Sequence, residues 1–143
     1  MIHFGGTYPQ YYKGDLSFTK SDSRFGLWEI PIDDFGLGKE SFGYKGRTGI
    51  IDTGTSLILI PNNDAIPLHQ KIPGARTNGE SFAVPCTTNS SLFITFSGVE
   101  YEIPPTDWVG EVINNALDLC LSGIVGRVSI TVPTTLGLLA NMP

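Results

Sequence analysis

The sequence predicts an all-β fold, and three observations support this prediction. The 143 residues include 17 glycines and 10 prolines, which interrupt long helices and favour turns. Several segments alternate apolar and polar side chains with a period of two, as strands with one buried face do. Hydrophobic residues make up 41% of the chain, enough for a moderate core, so we expect residues 1–143 to form a single domain.

Strands are expected along most of the chain. Before a polar loop at residues 45–47, the alternation is clearest over residues 25–32. Two aliphatic segments, 50–51 and 57–60, predict buried strands on either side of a short polar loop. Residues 92–103 predict a hairpin, because two alternating runs flank a Ser-Gly turn.

Two short helical segments are expected between these strands. One follows Pro61, with Asp64 as its N-cap, and ends at Pro73-Gly74. Residues 104–109 predict a single helical turn. From residue 116 to residue 132 the chain is apolar, with two glycines and Cys120 inside it.

One loop carries a single acid, Asp52, between the two aliphatic strands. Burying a carboxylate is costly unless it accepts hydrogen bonds. The hydroxyls of Thr53, Thr55 and Ser56, and the N–H groups of a turn at Gly54, could donate them. Asp-Thr-Gly alone fits an ordinary surface turn equally well. The aliphatic flanks, however, predict a buried loop with a caged, reactive carboxylate.

Composition excludes several classes of function. The net charge of −5 and the absence of a Lys/Arg cluster argue against a nucleic-acid partner. No run of 18 apolar residues predicts a membrane-spanning helix, so no membrane partner is expected. Two cysteines and two separated histidines cannot form a zinc site, so we predict neither a metal nor a cofactor.

Five further side chains are expected to have ordinary structural positions rather than functional roles. His3 and His69 are expected to be surface or strand-end histidines, and Arg47 is expected to be solvated. Trp28 and Trp108 are expected to belong to the core rather than to bind a ligand, although Trp28 lies on a strand that could approach a substrate groove.

The cysteines and one glycosylation sequon give information on the cellular compartment of the protein. Cys86 and Cys120 form either a single disulfide or two buried thiols. Asn89-Ser90-Ser91 matches the N-glycosylation sequon within a polar loop, which fits an exported protein.

The loop from Ile50 to Ser56 resembles the second active-site loop of pepsin-like aspartic proteases. Other segments resemble the C-terminal lobe of that family in the same order: His3-Phe4-Gly5-Gly6 with Tyr12-Lys13-Gly14, Leu27-Trp28-Glu29-Ile30, Cys86, the hairpin Phe93–Pro104, and Cys120. The resemblance covers roughly residues 2–135 and implies one lobe of the bilobal pepsin-like fold.

The resemblance also implies an activity and roles for the loop. The family hydrolyses polypeptides at acidic pH with a water held between two carboxylates, of which Asp52 would be one. The Gly54 N–H and the Thr55 hydroxyl would hydrogen-bond the Asp52 oxygens. Thr53 would bond across to the partner loop. Cys86 and Cys120 would form the disulfide of this lobe.

The chain departs from the family pattern in two ways. It contains one Asp-Thr-Gly, whereas the family uses a second aspartate from an N-terminal lobe. The closing aromatic-aliphatic-aliphatic-Gly-Asp run has no match, and Thr135–Leu139 stand about where it should begin. We therefore expect a lobe truncated at both ends that needs a partner lobe and has little activity alone.

Two alternatives remain open at this point. Two copies could pair to form a retroviral-type site with Asp52 from each copy. A non-catalytic binding or inhibitory protein could also use this lobe, although the intact residues 52–55 argue against it. The implied disulfide, the sequon and the family resemblance together predict secretion or a vacuolar or lysosome-like lumen.

Overall fold

The computed structural model describes residues 5–22, 26–44, 46–79, 81–127 and 135–139. His3 and the start of the Phe-Gly-Gly segment lie outside these ranges. In the described ranges the strands are β1 Glu29–Ile32, β2 Asp34–Leu37, β3 Glu40–Ser41, β4 Arg47–Asp52, β5 Ile58–Pro61, β6 Arg76–Thr77, β7 Phe82–Pro85, β8 Leu92–Phe96, β9 Val99–Ile103, β10 Val109–Asn114, β11 Leu119–Ser122, β12 Ile124–Arg127 and β13 Thr135–Leu139. The predicted all-β class is confirmed.

Two α-helices and two 3₁₀ turns interrupt the strands of the described ranges. The helices are α1 Asn62–Gln70 and α2 Pro105–Trp108, and the 3₁₀ turns are Pro9–Tyr11 and Asn115–Leu117. Both helical segments were predicted from the sequence. The predicted cap of α1 is wrong: Pro61 occupies the N-cap position and no side chain caps the helix. Asp64 lies inside the first turn, where its side chain faces the start of β4.

The described strands form three sheets. The central sheet has the order β1-β4-β13-β5-β12, and it carries the Asp52 loop. The hairpin sheet has the order β3-β2-β8-β9, and the disulfide sheet has the order β10-β11-β7-β6. The predicted hairpin is confirmed: β8 and β9 pair antiparallel, with Leu92 opposite Ile103 and Phe96 opposite Val99. Ser97 and Gly98 both have positive φ, as a two-residue hairpin turn requires.

The core lies between the sheets and the two helices. Its side chains come from all three sheets, and those buried most completely are Trp108, Phe35, Ile58, Ile60, Leu68, Leu92, Ile94, Ile124 and Val84. Trp108 is 1% exposed, as a core residue should be. Trp28 is 73% exposed, so its assignment to the core is wrong. It precedes β1, the edge strand of the central sheet, and the described residues leave its ring largely uncovered.

Candidate active site

Asp52 is the last residue of β4, the second strand of the central sheet. β4 pairs with β1 on one side and with β13 on the other. β5 pairs with β13 as well, so β13 lies between β4 and β5. The Asp52 loop connects these two strands. The backbone register places Leu139 of β13 opposite Asp52. β13 therefore lies opposite Asp52 itself, whereas the pairing of β4 with β1 ends at Ile50.

A short hydrogen bond fixes one oxygen of the carboxylate. The Gly54 N–H donates to Asp52 Oδ1 over 2.8 Å, an Asx-turn in which the side chain replaces a backbone acceptor. A Cβ at position 54 would lie 3.2 Å from the same oxygen, so glycine accommodates the close approach. Thr55 Oγ1 accepts the N–H of Leu57 over 3.4 Å, and among the described residues no hydrogen bond joins it to Asp52.

The loop itself is open to solvent. Asp52, Thr53, Gly54 and Ser56 are exposed, and Thr55 is half-buried. The prediction of a buried, caged carboxylate is therefore wrong for this chain. The aliphatic flanks do enter the core, since Ile58 is fully buried, but they anchor the base of the loop and leave its tip beyond the sheet. The result is an acid on an anchored base, and within the described residues only its Oδ1 accepts a hydrogen bond.

Main-chain hydrogen bonds also tie both arms of the loop to neighbouring elements. On the outgoing arm, the Ile51 N–H donates to the Trp28 carbonyl over 2.9 Å. On the returning arm, the Ile58 N–H donates to the Gly123 carbonyl over 2.8 Å. The Gly123 N–H in turn donates to the Trp108 carbonyl over 2.6 Å, and a Cβ on Gly123 would lie 3.0 Å from that oxygen. The returning arm is thus coupled to the buried end of α2.

Comparison with known proteins identifies the family of this chain. The family model described as "Eukaryotic aspartyl protease" matches residues 1–137. The chain belongs to this family. It is similar to the probable aspartic-type endopeptidase CTSD of Arthroderma otae, with 36% identity over 90% of this chain and 34% of that protein. It is also similar to the aspartic-type endopeptidase ctsD of Aspergillus fumigatus, with 37% identity over 87% of this chain and 26% of that protein.

The similarity extends beyond fungi. Cathepsin D of Dictyostelium discoideum is 33% identical over 87% of this chain and 34% of its own length. In each of these three comparisons the chain spans about a third of the relative or less. The family resemblance stated from the sequence motifs, and the single-lobe fold it implied, are confirmed.

An ion pair fastens β4 of this aspartyl-protease chain to helix α1. Arg47 Nη1 lies 2.7 Å from Asp64 Oδ2, and Arg47 Nη2 donates to Asp64 Oδ1 over 2.9 Å. The guanidinium also lies over the Tyr44 ring, 4.9 Å from its centroid. Burial raises the pKa of Asp64, and the charge and hydrogen bond of Arg47 partly offset this. The prediction that Arg47 is solvated is wrong, because Asp64 reaches it across the fold.

A buried acid also lies beside β4, and the sequence reasoning missed it. Glu29 of β1 is 6% exposed and accepts a 2.6 Å hydrogen bond from the Thr48 hydroxyl. Glu29 stands opposite Ile50, so it shares a sheet face with Thr48 and Asp52. Strand alternation alone could have placed it on that face. Only the tertiary structure shows that it is buried.

His69 links α1 to Ser122, the last residue of β11. It is 3% exposed, and its ring stacks on Phe82 at a centroid distance of 3.8 Å. Nδ1 lies 2.7 Å from the Ala65 carbonyl, which can only accept, so Nδ1 carries the proton. Nε2 then accepts from the Ser122 hydroxyl over 2.9 Å. Burial lowers the pKa of His69 to about 4. The expectation of a surface histidine is wrong, because position 69 lies on the buried face of α1.

A disulfide between Cys86 and Cys120 joins the end of β7 to β11. Their Cα atoms are 4.9 Å apart, and the two strands are neighbours in the disulfide sheet. Of the two options left open by the sequence, the disulfide is correct. Asn89 lies three residues after Cys86, in an exposed loop position.

The described residues contain no group of three or more His, Cys, Asp or Glu side chains that could hold a metal ion. In the same residues, no helix is long and apolar enough to cross a membrane.

Proposed function

We propose that this chain supplies one of the two catalytic carboxylates of an aspartic endopeptidase, and that Asp52 is that carboxylate. The observation that carries the proposal is the position of Asp52: it ends β4 with β13 opposite it, while its side chain is exposed. The family membership supports peptide-bond hydrolysis as the reaction and a polypeptide as the substrate.

The geometry suits one half of an acid–base pair. The Gly54 N–H orients Asp52 through Oδ1, and no described residue donates to Oδ2, which could hold a water molecule. Attack on a peptide carbonyl requires a base that takes a proton from this water and an acid that hydrogen-bonds the carbonyl oxygen. Two adjacent carboxyl groups that share one proton can fill both roles, because two like charges so close do not both ionise. Asp52 alone can fill only one.

We infer that a second lobe supplies the other aspartate. The sequence contains a single Asp-Thr-Gly, and the chain spans about a third of its relatives. Thr53 is exposed beside Asp52, so its hydroxyl is available to bond a facing loop. The same exposure also allows two copies of this chain to pair through their Asp52 loops, which is the homodimeric alternative.

The test is proteolysis of an unfolded protein substrate at acidic pH, with and without a pepstatin-type inhibitor. The purified chain is assayed alone and after refolding with the N-terminal part of the Arthroderma otae relative. We expect little activity from the chain alone and inhibitor-sensitive activity from the complemented protein. Asp52→Asn should abolish the latter, and Asp15→Asn, at another exposed aspartate, should leave it unchanged.

Three results would contradict parts of this proposal. Undiminished activity of the complemented Asp52→Asn variant would exclude Asp52 as a catalytic residue. Inhibitor-sensitive turnover by the chain alone as a monomer, with its mass measured by light scattering, would exclude the need for a second lobe. Activity that rises with the dimer fraction would support the homodimer instead.

We also propose that the protein works in a secreted, vacuolar or lysosome-like setting. The disulfide supports this, because disulfides persist in oxidising compartments. Thiol titration of native protein from its source should find both cysteines oxidised, and two free thiols would contradict the proposal.

A further inference from the structure

Asn89 begins the single Asn-x-Ser/Thr triplet in the sequence, Asn89-Ser90-Ser91. Such triplets also occur by chance, so the motif alone decides little. It becomes informative where the asparagine is exposed, lies outside regular structure and belongs to a chain that folds in an oxidising lumen. The structure bears on each of these conditions.

The near end of the loop that carries Asn89 is fastened to the disulfide sheet. The Cys86 N–H donates to the Asp118 carbonyl over 2.9 Å. The Thr88 N–H and hydroxyl both donate to the Pro85 carbonyl, over 2.9 and 2.6 Å. The backbone up to Thr88 is therefore fixed by bonds that do not involve Asn89.

The far end of the loop is fastened to two other elements. The Trp108 indole N–H donates to the Ser90 carbonyl over 3.2 Å, and this ring is 1% exposed. The Gly38 N–H donates to the Ser91 carbonyl over 2.8 Å. Between these two anchored ends, Asn89 is exposed while its neighbours Thr88 and Ser90 are half-buried. The loop thus presents the Asn89 side chain to solvent and turns its neighbours inward.

The compartment follows from a separate observation. Cys86, three positions before Asn89, forms the disulfide with Cys120. Structural disulfides form in the secretory lumen of eukaryotic cells, where N-linked glycans are also attached. The sequon and the oxidised cysteine pair are thus independent indications of the same environment.

We propose that Asn89 is an N-glycosylation site. The donor is an oligosaccharide carried on a polyprenyl pyrophosphate, and a lumenal oligosaccharyltransferase catalyses the transfer. A bond forms between Asn89 Nδ2 and the anomeric carbon of the first sugar, and the bond from that carbon to the pyrophosphate oxygen breaks. The lipid pyrophosphate is the leaving group, the amide nitrogen gives up one proton, and no oxidation or reduction occurs.

Asn89 and the Asp52 loop lie on different connections of the fold. Asn89 lies on the connection between β7 of the disulfide sheet and β8 of the hairpin sheet. The Asp52 loop connects β4 and β5 of the central sheet. Glycosylation of Asn89 does not depend on protease activity of this chain, so the glycosylation and protease proposals can fail separately.

The test is expression of the full chain behind a secretion leader in yeast, followed by peptide mass spectrometry. Peptide-N-glycosidase removes the glycan and converts the modified Asn89 to aspartate. We expect the secreted chain to show a glycosidase-sensitive gel shift and that conversion at Asn89. Asn89→Gln and Ser91→Ala should both abolish the gel shift, since the amide and the third-position hydroxyl are required for transfer.

Two matched variants show whether the sequon itself is recognised. Ser90→Ala changes the neighbouring serine at the variable position, and Ser91→Thr retains a hydroxyl. Both should remain glycosylated. A secreted chain with its disulfide intact and unmodified Asn89 overturns the proposal. So does a glycosidase-sensitive shift that persists in Asn89→Gln.

Discussion

Lowering the pH from 6.5 to 4 should destabilise this chain through one buried histidine. His69 is 3% exposed, donates from Nδ1 to the Ala65 carbonyl and accepts at Nε2 from the Ser122 hydroxyl. Ser122 Oγ also accepts the Ile124 N–H over 3.1 Å. A proton on Nε2 would force the Ser122 hydroxyl to find another acceptor in a buried place. The folded structure therefore favours the neutral ring.

The magnitude follows from the pKa. Burial lowers the pKa of His69 from its ordinary value of 6.5 to about 4, and each pH unit corresponds to about 1.4 kcal/mol. Above pH 6.5 the ring is neutral in both the folded and the unfolded chain. Between pH 6.5 and 4 the unfolded chain binds a proton that the folded chain does not, so stability falls as pH falls. The loss amounts to about 3 kcal/mol and levels off below pH 4.

The assay is urea unfolding of the disulfide-bonded chain at a series of pH values from 7.5 to 4. It is performed on the wild type and on His69→Gln, which has no titrating group at this position. Asp64, on the same helix, has a raised pKa and contributes with the opposite sign, gaining stability as pH falls. It is present in both proteins, so the difference between their curves isolates His69.

We expect the gap in unfolding free energy between the two proteins to change by about 3 kcal/mol across this range. Parallel curves from pH 7.5 to 4 would refute the reasoning, as would a folded-state NMR titration of the His69 ring near pH 6.5. The result matters for a chain of this family, because the proposed proteolysis takes place in acid. The histidine would then set an acid limit on the stability of the lobe.

Two further substitutions test contacts around the Asp52 loop. Arg47→Met should destabilise the chain by about 2–4 kcal/mol in urea unfolding, because it leaves the largely buried Asp64 carboxylate unpaired. The exposed ion pair that Lys71 forms provides the control. Lys71→Met should change the free energy of unfolding by less than about 1 kcal/mol. A similar loss of stability in both variants would mean that the Arg47–Asp64 ion pair contributes no more than the exposed pair does. Gly123→Ala should cost about 1–3 kcal/mol, since its Cβ would press on the Trp108 carbonyl oxygen, and an unchanged urea midpoint would contradict this.

Local sequence patterns predicted the parts of the fold whose causes are local. The hairpin at residues 92–103 follows from two alternating runs and a turn that tolerates positive φ. The helix after Pro61 follows from its spacing of apolar positions, and it ends at Gln70, three residues before the predicted stop at Pro73-Gly74. The Asp52 loop and the cysteine pair were identified through motif resemblance, and the disulfide is present. None of these required knowledge of distant contacts.

The errors concern side chains whose surroundings are set by distant residues. His69 was assigned to the surface because a lone histidine carries no local sign that Phe82 and Ser122 will enclose it. The pairing of Arg47 is not visible locally because Asp64, its partner, follows it only after the whole Asp52 loop. The exposure of Asp52 was missed because aliphatic flanks report burial of the strands and not of the loop between them.

The position of β13 has a consequence for how the chain folds. The two arms of the Asp52 loop do not pair with each other but with β13, whose residues follow them by most of the chain length. Closing so long a loop is entropically costly and makes such pairings slow to form. The carboxylate therefore acquires its final support late in folding. A ribosome-bound chain that has not yet released residues 135–139 would carry the Asp-Thr-Gly motif without the strand that pairs with both arms of its loop.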